Sequence, residues 1–224
     1  MGDFLQVLGE YDIAGAYWFN VKLAFFSGIF SLVLGTILAL MRISPLPSLQ
    51  WAGATYVNLV RNIPLTVVMM FAAFALWPQL GVTFSENLDR NFFWLAVWAL
   101  SVYTASFVCE SIRSGVNTVP VGQAEAARAI GLSFLPAARL VILPQAFRGS
   151  IAPLGNTFIA LIKNTTVASA ISVADISLVM KYMVDQHGNY VIPIFLTVAA
   201  GFVIIVIPVG LVVTFLSQRL AVAR

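Results

Sequence analysis

Charge is the scarcest property of this sequence. Aspartate, glutamate, lysine and arginine together make up 9% of its 224 residues, against about a quarter in an ordinary soluble domain. With a mean hydropathy of +0.95, that deficit excludes a water-soluble globular protein. The lone cysteine, Cys109, cannot form an intrachain disulfide. The lone histidine, His187, and the absence of any Cys/His ligand spacing leave no metal site to expect. No G-x-x-x-x-G-K-[ST] loop occurs, so no nucleotide or other cofactor is expected on this chain. Without a His/Asp/Glu cluster there is no catalytic residue to nominate, and an enzyme is not expected. The first 15 residues hold Asp3, Glu10 and Asp12 but no basic residue. A cleavable signal peptide begins positive, so none is expected.

What fills the chain instead is apolar sequence, 60% of all residues. Runs of about 20 apolar residues cross a bilayer as helices. Barrel strands would alternate apolar with polar residues, and these runs do not. The expected fold is therefore all-α and polytopic, one membrane domain over residues 1–224 with five spans. The spans are placed at about 16–41, 57–77, 91–111, 149–171 and 190–216. The fourth is interrupted by Pro153, Gly155, Asn156 and the run Lys163-Asn164-Thr165-Thr166.

Lys and Arg concentrate on the cytoplasmic side of membrane proteins. An external N-terminus puts Arg42, Arg61, Arg113, Arg128, Arg139, Arg148, Arg219 and Arg224 inside. Only Lys22, Arg90, Lys163 and Lys181 then fall outside. N-out, C-in is the expected topology, and the arginines serve as topology signals rather than as a nucleic-acid surface.

The long cytoplasmic segment, about 113–147, has its own pattern. A helix-forming run, Glu125-Ala126-Ala127-Arg128-Ala129-Ile130, ends at Gly131. An amphipathic piece follows, up to a break at Leu143-Pro144. Small residues on one helix face let another backbone approach closely, glycine lets the chain turn, and Pro144 suits a first helical turn. Read from the residues alone, the segment is either a helix presented to a partner or one resting on lipid headgroups.

The segment resembles the E-A-A loop of ATP-binding cassette (ABC) importer permeases. Glu125, Ala126, Ala127, Gly131, Leu143 and Pro144 match that pattern in spacing, with Val141 where isoleucine is usual. Val119-Pro120-Val121-Gly122-Gln123 and Ile142-Leu143-Pro144-Gln145-Ala146-Phe147-Arg148 are similar to the lead-in and exit found in permeases for polar amino acids. Arg61-Asn62-Ile63-Pro64-Leu65 resembles the R-G-T-P-L motif of that group, and Lys163-Asn164-Thr165-Thr166 its K-D-T-S box. Such a chain is a type I permease, paired with a second copy or paralogue in a bacterial inner membrane. Its partners are ABC ATPase subunits, which bind ATP and Mg, and an extracytoplasmic solute-binding protein. Alternating access would carry a polar amino acid, glutamate or glutamine. The resemblance marks Gly122, Glu125, Ala126, Ala127, Gly131 and Pro144 as ATPase-coupling positions.

Polar residues at membrane depth are the remaining candidates, because ionisable groups there are costly and face a cavity or a partner. Glu110 lies three residues before Arg113, which permits an ion pair on one helix face, or it faces the path. Lys163, Asn164, Thr165 and Thr166 can solvate a crossing amino acid. Alternatively, the lysine reaches for the interface and the threonines bond to backbone carbonyls. Arg61 is either a path residue or a charge anchor at the start of span two. Trp94 and Trp98 are expected in interface and packing roles, and His187 in a solvated external loop. The competing function is a self-sufficient secondary transporter or channel, with Glu110 and Lys163 as its coupling pair. That reading leaves the 122–144 segment without a task.

Overall fold

Ten α-helices, joined by π and 3-10 turns and by no strand, occupy residues 2–220, the part that the computed structural model describes. Arg224, counted above among the inner arginines, lies outside the described residues. Helix α1 (Gly2–Gly9) is short and packs Val7 against Met183 and Ile194. Asp12 then starts α2 (Ile13–Ile43) by accepting a hydrogen bond from Gly15 N at 2.8 Å, the N-cap role of a short carboxylate. Together with α5 (Leu88–Asn117) and α10 (Val191–Leu220), α2 is long and apolar enough to cross a membrane. At 1.5 Å rise per residue, such helices exceed the roughly 30 Å hydrocarbon layer.

The remaining spans are bent. Residues expected as one span over about 57–77 are divided between α3 (Pro47–Asn62) and α4 (Leu65–Phe71), the latter prolonged by a π turn over Ala72–Leu76. The two pieces meet at 101°. Ile63 precedes a proline and is extended (φ −94°, ψ 133°), because the proline ring disfavours helical backbone in the residue before it.

The coupling segment folds as α6 (Val121–Ala129), α7 (Phe134–Ala137) and a π turn, Ala138–Ile142. That turn runs on into α8 (Leu143–Asn164), so the expected break at Leu143-Pro144 is a widened helical turn instead. Pro144 has no N–H to donate, which favours such a turn. Helix α8 also continues through Pro153. It ends in a 3-10 segment, Thr165–Ile171, whose cap Ser172 sits at φ +60°. A 57° bend separates the stretch Arg139–Ile171 from α9 (Ile176–Gln186). With each bent pair counted as one span, the total is five.

Helix α5 is the axis of the molecule, packed by α2, α3, α4 and α8. Its buried residues, among them Leu95, Leu100, Ala105 and Val108, are spread around its circumference, the mark of a helix enclosed on all sides. Small residues set the closest approach. A methyl group at Gly35 of α2 would lie 2.6 Å from Val108 Cβ, so α2 reaches α5 only because Gly35 lacks one. Trp94 packs between Phe26 and Phe93, 5.2 Å from each ring, and Trp98 lies beside Phe71. Helix α10 is the opposite case, with Ile192, Phe195, Leu196, Ile204 and Leu211 all exposed. A surface this apolar belongs in lipid or against another chain.

Candidate coupling helix and translocation cavity

Helix α6 begins after Pro120 and is closed by a Schellman motif. Gly131 N donates to Arg128 O at 3.0 Å and Leu132 N to Ala127 O at 3.1 Å, satisfying two carbonyls that the last turn leaves open. The motif needs a left-handed residue, and Gly131 supplies it at φ +90°. Ala127 is buried, and α6 packs on the π turn at 138–142. Gly122, Glu125, Ala126 and Gly131 are exposed, and nothing lies within 4 Å of a methyl placed on either glycine. Val121 and Ile130 are 74% and 79% exposed. Pro144 is in the first turn of α8 and exposed. Gln145 Nε2 donates to Val141 O at 3.0 Å beside it. The spacing-derived positions thus share one short module that stands off the membrane helices and connects through the π turn directly to α8.

Glu110 sits among three guanidiniums. Arg113 donates to Oε2 from Nη2 at 2.8 Å and from Nε at 3.2 Å. Arg42, from the last turn of α2, engages Oε1, and Arg61 Nη1 lies 3.9 Å from the same oxygen. The Arg113 pair follows from i, i+3 spacing. Arg42 and Arg61 arrive from other helices, and nothing local in the sequence announces them. Ionic contacts therefore fasten the ends of α2, α3 and α5 together.

Above this cluster, Tyr103, Thr104 and Phe107 of α5 and Asn156, Thr157, Ala160 and Asn164 of α8 line a cavity of about 310 Å³. It mixes aromatic walls with amide and hydroxyl groups, as sites for small polar solutes do. Of the four consecutive residues at 163–166, Asn164 lines the cavity. Lys163 is exposed and is not among the cavity's lining residues. Thr166 Oγ1 donates to Lys163 O at 2.8 Å. Thr165 is fully buried; its hydroxyl donates to Ile162 O at 2.7 Å and accepts from Asn20 Nδ2 at 2.9 Å. Asn20 and its second partner, Asp175, are buried polar residues that pattern reading missed. The available signal was an amide alone within the apolar run of span one. His187 is partly buried, with Nε2 3.2 Å from Glu10 Oε2.

A polytopic helical protein with a cavity of mixed aromatic and polar lining between two packed spans, and an exposed helix packed against the turn that leads into one of them, is a membrane transport component. Sequence comparison makes the class specific. The family described as binding-protein-dependent transport system inner membrane component matches residues 31–222, and the chain belongs to that family. It is 48% identical, over 93% of its length and 94% of the relative's, to the glutamate transport system permease protein GluC of Corynebacterium glutamicum. It is 36% identical to the probable glutamine ABC transporter permease protein GlnM of Bacillus subtilis, over 85% of this chain and 84% of that one. The crystal structure of an amino acid ABC transporter with histidines superposes with a TM-score of 0.83 at 25% identity, covering 98% of this chain and 96% of that one. The inward-facing MetNI methionine ABC transporter shares the fold, with a TM-score of 0.73 over 94% of this chain and 96% of that one at 20% identity. The protein is thus a multi-pass inner-membrane permease of an ABC importer, a transport component rather than a catalyst, and the self-sufficient transporter reading gives way to it.

Proposed function

We propose that this permease carries glutamate, or a polar amino acid close to it, through a path that it forms with a second copy or a paralogue. ATP and Mg are bound by separate ATPase subunits, and an extracytoplasmic binding protein delivers the substrate. The observation that carries the reading is the construction of α6. Its cap is locked by Gly131, its inner face is closed on Ala127, and Val121, Glu125 and Ile130 face outward. The substrate class rests on the glutamate permease relative at 48% identity.

The mechanism is differential binding of two conformations. Closure of the ATPase pair on ATP draws the two α6 helices together. Because α6 packs on the π turn that leads into α8, the movement is passed to the α5–α8 cavity through that contact. Asn164, Asn156, Thr157 and Thr104 offer hydrogen bonds to the ammonium and carboxylate groups of the solute. Lys163, exposed next to them, attracts an acidic solute. ATP hydrolysis then resets the cavity. In this orientation the N-terminus is external, α6 is cytoplasmic, and the exposed face of α10 meets lipid or the second permease.

The test is uptake of labelled glutamate by proteoliposomes holding the permease, its ATPase and its binding protein. Accumulation that requires Mg-ATP, and is competed by unlabelled glutamate, is the expected result. ATP-dependent accumulation of a different solute, with none of glutamate, would overturn the substrate assignment.

A further inference from the structure

The charges around Glu110 do not balance. Its Oε1 is engaged by Arg42 and its Oε2 by Arg113. Arg61, the third guanidinium, stands 3.9 Å from Oε1, beyond hydrogen-bonding range. Among the described residues, every ion pair of these three arginines ends on Glu110, and Arg61 donates no side-chain hydrogen bond. Its side chain is 44% exposed. Its Cζ lies 5.3 Å from the centre of the Phe107 ring, a cation–π contact that holds the group while leaving its N–H fork open.

Phe107 belongs to the cavity wall. Tyr103, Phe107 and Glu110 are spaced four and three residues apart, so they share one face of α5. The cavity and the surplus cation are therefore consecutive stations along that face. Resting on the reading of the chain as a glutamate permease, we infer that Arg61 is a specificity-determining residue that takes the side-chain carboxylate of an acidic amino acid as it leaves the cavity. A carboxylate accepts two parallel N–H bonds from a guanidinium. The amide of glutamine presents one acceptor and opposes a donor to a donor. Arg42 and Arg113 occupy both oxygens of Glu110 at hydrogen-bonding distance, so its single negative charge is shared among three cations and reaches Arg61 only at 3.9 Å.

In the assembled importer in nanodiscs, this permease with Cys109→Ser and Ala160→Cys carries its one thiol on the cavity wall. Its rate of modification by a small methanethiosulfonate reports occupancy by added glutamate or glutamine. Glutamate protects the thiol when Arg61 is present. Arg61→Gln raises the glutamate concentration needed by about tenfold or more, a difference of about 1.4 kcal/mol. Glutamine protection stays within about twofold, since an amide never used the fork. Arg61→Lys recovers part of the effect, having charge without the fork.

The same differences are expected in phosphatidylcholine discs and in discs containing phosphatidylglycerol. An effect confined to the anionic lipid would mark Arg61 as a headgroup anchor and overturn the inference. So would an absence of glutamate protection with Arg61 present, unchanged protection in Arg61→Gln, or equal loss for both amino acids. ATP-driven glutamate uptake by proteoliposomes holding the unsubstituted importer tests the underlying function separately. Uptake without Arg61-dependent protection defeats the exit-site inference alone, whereas failed uptake defeats the glutamate assignment.

Discussion

Asn20 Nδ2 donates a 2.9 Å hydrogen bond to Thr165 Oγ1 across 145 residues of sequence. Both residues are buried. The same amide donates to Asp175 Oδ2 at 3.3 Å, and its oxygen accepts from Ile176 N at 3.0 Å. Asp175 Oδ1 accepts from Leu178 N at 3.0 Å and caps α9. A single side chain of the first span thus secures both sides of the 57° bend between α8 and α9. Networks of this kind are stabilising only while every member is satisfied.

Asn20→Ala is therefore expected to be destabilising, because it strands Ile176 N and removes a partner from Thr165 and Asp175. Each orphaned buried group costs about 1–3 kcal/mol. Asp175→Asn keeps an oxygen for the α9 cap and should be milder than Asp175→Ala. Thermal melting of the detergent-purified complex, followed by size-exclusion chromatography, measures the order. An Asn20→Ala protein as stable as the parent would show that the bend is held elsewhere.

The four residues at 163–166 divide into different roles. Asn164→Ala removes a polar group from the cavity wall and should reduce glutamate uptake about tenfold, in keeping with a lost hydrogen bond to a charged group. Assembly with the ATPase should be unaffected. Lys163→Met keeps the side-chain length, removes the charge and should lower uptake as well. Thr165→Ala should act on stability instead, since its hydroxyl is engaged by Asn20 and Ile162. Wild-type uptake in both Asn164→Ala and Lys163→Met would take this segment off the path.

Orientation is accessible to thiol labelling. Ser133, in the exposed turn after α6, is the inner probe. Glu86, exposed in the loop before α5, is the outer probe. In a Cys109→Ser background, Glu86→Cys should react with an impermeant maleimide in intact cells, and Ser133→Cys only after permeabilisation. The reverse pattern would invert the topology and leave α6 unable to meet a cytoplasmic ATPase.

Local chemistry made much of this molecule readable in advance. Long apolar runs mark α2, α5 and α10, and Pro144 falls in the first turn of its helix. Gly131 was legible as a turn because a left-handed cap needs glycine at a defined distance after a helix-forming run. The division of the second span was not. Asn58, Arg61 and Asn62 dilute α3 without ending the apolar pattern, and only the backbone restriction imposed by Pro64 turns the chain through 101°. Long-range polar pairing was also hidden. Glu110 and Arg113 are visible as an i, i+3 pair, but Arg42 and Arg61 reach Glu110 from other helices. Asn20 and Asp175 lie 155 positions apart, and no periodicity links them. Burial decides such contacts, and burial depends on how the helices pack.

Gly131 gives the sharpest test of coupling. Its φ of +90° is strained for any residue with a Cβ, at a cost of order 1–3 kcal/mol. No neighbour lies within 4 Å of the added methyl, so the permease itself has room for a side chain. Gly131→Ala therefore reports backbone strain in the Schellman cap, while Gly131→Asp adds an anion to the face presented by α6. Both variants should insert normally, because the residue lies outside every membrane span. Gly131→Ala should weaken transport modestly. Gly131→Asp should abolish it, since an unpaired charge buried in a packed contact costs several kcal/mol. Binding-protein-stimulated ATP hydrolysis should fall in parallel, and Glu125→Lys, exposed on the same module, should act less strongly because water and salt screen it. The decisive measurement is ATPase stimulation in purified complexes matched for subunit content. Equal stimulation in the parent and in Gly131→Asp would detach α6 from coupling, even if transport were lost for another reason.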